Sequence, residues 1–336
     1  MRWENERESS NVEDRRGASG GAGDGGAGGM GGGGGGGGGR GGGFPIPIGR
    51  GGIGVGTIVV ALVGAWLFGI NPMTVIEVMS GGGGVVSAPQ LPQQQSQQRP
   101  QSQPQVSQHS GQPAQSGQSA SAADPLSKFV SVVLASTEDT WTKVFAQSGS
   151  KYPPPRLVLY RGRTATGCGM GDTAAGPFYC PADQKLYIDL AFYKIMRDQL
   201  GAAGDTAQAY VIAHEVGHHI QNLNGTMQQM EQARARMSPA QYNQLSVRLE
   251  LQADCFAGVW VHHSQQAKGW LEQGDIEEAI NAAAAVGDDK IQREMQGAVR
   301  PESFTHGSSA QRTRWFRAGA QGGRIDQCDT FNARQI

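Results

Sequence analysis

Residues Gly51–Ile70 read GGIGVGTIVVALVGAWLFGI, twenty residues without a charge. As a helix rising about 1.5 Å per residue the run reaches about 30 Å, the thickness of a bilayer's hydrocarbon core. Its six glycines would weaken a soluble helix but are common in membrane spans, Trp66 suits an interface, and Pro72 supplies a stop. The flanks offer no core to bury such a helix. Of the chain's 52 glycines, 23 fall within residues 1–52, and 13 glutamines lie between Gln90 and Gln118 among Ser and Pro. The pattern predicts a disordered Gly-rich cytoplasmic tail over 1–50, one transmembrane signal anchor over 51–70, a Gly/Gln/Ser/Pro linker over 80–123, and a folded domain over 124–336. Arg40 and Arg50 precede the run, and no Lys or Arg follows it until Arg99. The positive-inside rule then puts the N-terminus in the cytoplasm and the folded domain on the periplasmic or extracellular side, so a single-pass membrane location is expected.

The folded part is of ordinary composition and large enough for one core. Formal net charge is −1, so no broad basic field exists to attract nucleic acid. Periodicity predicts helices at about 126–148, 191–200, 205–223, 239–265, 276–286 and 309–320, with strands at 157–160 and 185–189.

Within the third of those helices stands His214-Glu215-Val216-Gly217-His218, the H-E-x-x-H pattern. His214 and His218 lie one turn apart on the same face, so both imidazoles can reach one zinc ion. Glu215 projects about 100° around the helix, where a carboxylate can act as general base. Ala209, Ile212, Ala213, Val216, Ile220 and Leu223 form a stripe largely separate from the two histidines, the pattern of a helix that lines a cleft. A catalytic zinc usually has three protein ligands. A third histidine at the H-E-x-x-H-x-x-G-x-x-H spacing is excluded, because Gln221 and Asn224 occupy those later positions. Glu250, in the run RLELQAD, can complete a His, His, Glu set, and Asp254 one turn later can hold the outer ring N–H of a ligand histidine.

The four cysteines, Cys168, Cys180, Cys255 and Cys328, form an even set suited to an oxidising compartment. Three pairings are open; the favoured one joins Cys168 to Cys180 across a short Gly/Pro-rich loop and leaves Cys255 for Cys328. No C-x-x-C spacing supports a zinc–thiolate cluster.

HEVGHHIQ, RLELQADCFAGVW, TGCGMGDTAAGPFYCPAD and SFTHGSSAQRTRWF together resemble the bacterial neutral zinc metallopeptidases of the YpfJ type, and the opening MRWENERESSNVEDRRG resembles that family's start. The resemblance implies an α+β, mostly helical, zincin-like catalytic domain with a small sheet, here preceded by one transmembrane helix. It also implies zinc ligands at His214, His218 and Glu250, a general base at Glu215, and polypeptide substrates.

A donor for the developing oxyanion is expected as well. His306, in a loop before the last helix, is the candidate, with Tyr210 and Arg312 as alternatives. His219, His262 and His263 read as solvated or packing residues. The function expected is a membrane-anchored, zinc-dependent endopeptidase. The alternatives are a membrane-tethered zinc-binding or assembly module that does no chemistry, and an amidase acting on cell-wall peptides. An intact Glu215 speaks against the module, since a purely structural site needs ligands and no base.

Overall fold

The computed structural model describes residues 1–17 and 124–336. The chain opens with strand β1 (Val12–Asp14) and, after the undescribed stretch, continues with helix α1 (Pro125–Gln147). Asp124 caps α1, accepting from the Leu126 N–H, and Pro125 sits where a missing donor costs nothing. Strands β2 (Arg156–Tyr160), β3 (Arg163–Thr166), β4 (Gly169–Asp172), β5 (Phe178–Cys180) and β6 (Lys185–Asp189) follow. The remainder is helical: α2 (Ala191–Asp198), α3 (Asp205–Leu223), α4 (Thr226–Arg234), α5 (Pro239–Lys268), α6 (Asp275–Ala285), α7 (Asp288–Gln296) and α8 (Ser309–Gly322). The described residues are thus mostly helical with two small sheets, one of four strands in the order β1-β2-β6-β5 and one formed by the β3-β4 hairpin.

The expected single crossing of a membrane does not survive this arrangement. Residues 51–70 and the linker 80–123 lie outside the described residues, and among the described residues no helix is long and apolar enough to cross a membrane. The N-terminal residues overturn the topology. β1 pairs in parallel with β2, Val12 opposite Leu157 and Asp14 opposite Leu159. The Arg16 guanidinium forms an ion pair with Asp124, so the two ends of the intervening stretch meet. One crossing between them would put hydrogen-bonded partners on opposite faces of a bilayer. Residues 1–17 are accordingly part of the folded domain, and the tail expected over 1–50 does not hold for them.

Helix α3 packs between α5 and α6, and α8 lies along α5. Two glycines set the closest approaches. A Cβ on Gly217 would stand 3.0 Å from the Ala253 backbone, so the α3–α5 crossing is closest inside the H-E-x-x-H turn itself. A Cβ on Gly319 would stand 2.0 Å from the Cys255 carbonyl oxygen, so α8 meets α5 backbone to backbone. The core between these elements includes Trp141, Phe256, Trp260 and Phe316, all fully buried. Helices α4 and α7 and the β3-β4 hairpin fall where the sequence suggests only loop.

Both disulfides form with the favoured connectivity, Cys168 with Cys180 and Cys255 with Cys328. The second closes a loop of 73 residues and ties α5 to the C-terminal segment. Restriction of the unfolded chain by a loop of that length is worth about 4 kcal/mol. Arg248 reinforces the tie by donating to the carbonyls of Thr330, Phe331 and Ala333.

Candidate metal centre

The crossing of α3 over α5 brings His214, His218 and Glu250 together, with one ligand atom from each lying within 4.8 Å of the others. Glu250 faces both rings: Oε2 is 3.2 Å from His214 Nε2, and Oε1 is 3.6 Å from His218 Nε2. Tetrahedral ligands at about 2.1 Å from a zinc ion stand about 3.4 Å from one another, so the spacing suits a single ion of that size. The donor set, two imidazoles and a carboxylate, is zinc chemistry of the catalytic kind.

Both histidines are aimed by partners on their far nitrogens. Asp254 Oδ1 lies 2.9 Å from His214 Nδ1 and accepts its proton. Gln221 Oε1 lies 2.8 Å from His218 Nδ1; the Gln221 amide nitrogen donates to the Leu249 carbonyl, so its oxygen must face the ring. The Nδ1 proton of each ring is thereby fixed, and each turns Nε2 toward the cluster. Asp254 is fully buried, with the Tyr210 hydroxyl and the Arg312 guanidinium as its other partners. Tyr210 and Arg312 are thus engaged behind the ligands, away from any oxyanion role.

Electrostatics separate the four groups. Burial pushes the Glu215 carboxyl up to about 7, against the opposing charge of His214. Burial likewise pulls His218 down to about 4, which keeps its ring neutral and free to ligate. For His214 burial also lowers the value, but hydrogen bonds to Asp254 and Glu250 outweigh it and hold the ring at about 9. Glu250 resists the upward pull of burial because both imidazoles face it, and it stays well below the usual carboxylate range. Glu215 is not among the converging ligand atoms. It is only 7% exposed, and its carboxylate lies near the backbone N–H of Tyr179. Tyr179 belongs to β5, the edge strand of the larger sheet.

His306 sits beside the cluster, close enough to feel the Glu250 charge. Asp288, at the first turn of α7, accepts the backbone N–H groups of Thr305, His306 and Gly307 and lies 3.2 Å from His306 Nδ1. Burial alone would lower the His306 ring; the Asp288 hydrogen bond and the Glu250 charge overcome it and raise the ring above its ordinary value.

The other described histidines make packing contacts. His219 is buried, donating from Nε2 to the Pro153 carbonyl and accepting at Nδ1 from the Tyr179 hydroxyl. His262 reaches the Ala320 carbonyl in the last turn of α8, and His263 the Gly323 carbonyl just past its end. A cleft of about 850 Å³ lined by Arg7, Glu138, Lys143 and Lys268 shares no residue with the metal-ligand cluster.

Three residues of this neighbourhood have roles that the sequence does not announce. Gln221 was visible there, three positions after His218 on the same helical face. Asp288 and Tyr179 carry no local signal, because their roles depend on a loop and a strand brought in from elsewhere.

Residues 1–331 match a protein-family model described as "Putative neutral zinc metallopeptidase". Among relatives, "Uncharacterized protein YpfJ" of Escherichia coli (strain K12) is 47% identical over 331 residues, covering 98% of this chain and 99% of the relative. "Uncharacterized protein Rv2575" of Mycobacterium tuberculosis (strain ATCC 25618 / H37Rv) is 40% identical over 219 residues, covering 62% of this chain and 73% of the relative. No solved structure matches the chain.

Proposed function

The chain belongs to the neutral zinc metallopeptidase family, and from that premise we propose that it is a zinc-dependent endopeptidase acting on polypeptides in an oxidising, extracytoplasmic compartment. The observation that carries the reading is the convergence of His214, His218 and Glu250 beside a buried carboxylate, Glu215, that is not one of the ligands. The two disulfides support the compartment, since such bonds persist outside the reducing cytosol.

His214, His218 and Glu250 would hold zinc, which supplies Lewis acidity to a scissile carbonyl and makes water a better nucleophile near neutral pH. Glu215 is the proton carrier. With its carboxyl poised near 7 it can take a proton from water and release it to the departing amine. His306, whose protonated form Asp288 favours, is the donor to the developing oxyanion. β5, an edge strand of the larger sheet, carries Tyr179 near Glu215, and an extended peptide aligned with that edge would bring a backbone carbonyl to the site.

The test is metal content together with cleavage of casein by the full chain. One zinc per chain is expected, with activity lost to a chelator and restored by zinc. A chain that binds no zinc, or cleaves equally well without it, refutes the proposal.

The Asp288–His306 pair predicts a pH effect. His306 is raised by Asp288, so its protonated form persists to higher pH than in an isolated ring, and activity should fall on the alkaline side as that proton is lost. Asp288→Asn removes the charge that raises it. The alkaline limb of kcat/KM should then move to lower pH and kcat should drop about 10–100-fold, since the donor is both misplaced and less protonated. An unmoved limb would show that His306 is not the group being read.

A further inference from the structure

Arg312 is a guanidinium only 3% exposed, placed behind the metal ligands by α8. Its Nε is 2.9 Å from Asp254 Oδ2 and its Nη2 2.9 Å from Asp254 Oδ1, so the two groups meet fork to fork. Nη2 also lies 3.2 Å from the Tyr210 hydroxyl and 3.9 Å from Glu250 Oε2, and Nη1 lies 3.4 Å from the Val286 carbonyl. Nη2 is 3.4 Å from His214 Nδ1 as well. Both of those nitrogens carry protons, so the shared acceptor between them is Asp254. Its Oδ1 thereby takes hydrogen bonds from His214, Arg312 and Tyr210 together.

One consequence follows from that placement. Held at both oxygens, Asp254 cannot rotate, and His214 keeps its proton on Nδ1 with Nε2 turned to Glu250.

We propose that Arg312 is a positioning residue of the metal centre, which acts through Asp254 to hold His214 in its ligating orientation. This rests on the zinc reading above. Lysine cannot replace it, because a single ammonium reaches one carboxylate oxygen at a time.

The experiment is competition for zinc between the full-length chain and a chromophoric chelator, with urea unfolding of each variant as the check on folding. Arg312→Lys should bind zinc about tenfold more weakly, and Arg312→Met and Asp254→Asn about 10–100-fold more weakly, the scale on which partners behind a ligand act. In the doubly substituted chain, Arg312→Met should weaken zinc binding by no more than about threefold beyond Asp254→Asn alone, because the route through Asp254 is already gone. If Arg312→Met does not fold, Arg312→Lys and the double variant carry the test, since removing both members of a buried pair is better tolerated than removing one. Folded Arg312→Lys with wild-type zinc affinity, or losses that multiply in the double variant, would overturn the proposal. A wild-type chain that takes up no zinc would refute the metal reading itself.

Discussion

Glu215→Gln is expected to retain one zinc per chain and an unchanged fold while casein cleavage falls at least about 100-fold, the usual scale for loss of a general base. The substitution keeps the shape of the side chain, so the packing of α3 against β5 survives. What is lost is a group that exchanges a proton near neutral pH. A hundredfold corresponds to about 2.7 kcal/mol in the barrier, far more than the small packing change could contribute. Glu250→Ala should behave differently, because it removes a charged ligand atom that faces both histidines and so weakens zinc uptake itself. Metal analysis and cleavage rates on the two variants separate the base from the ligand. Full proteolysis by Glu215→Gln would end the peptidase reading and favour a binding module.

The parts of this site that were legible from sequence are those written at helical spacing. His214 and His218 one turn apart, Glu215 offset between them, and Glu250 with Asp254 one turn apart on a second helix all follow from 3.6 residues per turn. Gly217 gave no such hint, yet it is what lets those two helices touch at the ligand turn. His306 could be named from sequence as a candidate. The reason for its position, a carboxylate in α7 collecting three backbone N–H groups, needed a helix that periodicity did not reveal. The membrane topology failed for a related reason. Hydropathy is read in a local window, whereas the pairing of Val12–Asp14 with Leu157–Leu159 joins positions about 145 residues apart, which no window can see. The opening MRWENERESSNVEDRR is polar and highly charged, and composition alone makes it a solvated tail. Its likeness to the family's own start was the one sequence sign that it belonged to the fold.

Removal of residues 1–17 is therefore expected to destabilise the domain by about 5 kcal/mol or more, enough to leave many domains of this size largely unfolded. The deletion strips β1 from the sheet and uncovers the edge of β2. It removes Trp3, whose ring meets Phe129 edge to face at 5.2 Å and whose indole N–H donates to Asp205 at 3.0 Å, joining α1 to the start of α3. The heaviest cost falls on Glu138 in α1. That carboxylate is 8% exposed and accepts from Ser9, Asn11 and Arg7 at 2.6, 2.8 and 3.1 Å. Without those donors a buried charge stands with no partner from the segment built to receive it, a loss of several kcal/mol by itself. Urea unfolding of the chain with and without residues 1–17 measures the difference. Glu138→Gln in the shortened chain should recover part of the loss, because a neutral amide is cheaper to leave unpaired than a carboxylate. Equal unfolding midpoints for the whole and the shortened chain would return these residues to the status of a tail and reopen the single-crossing topology.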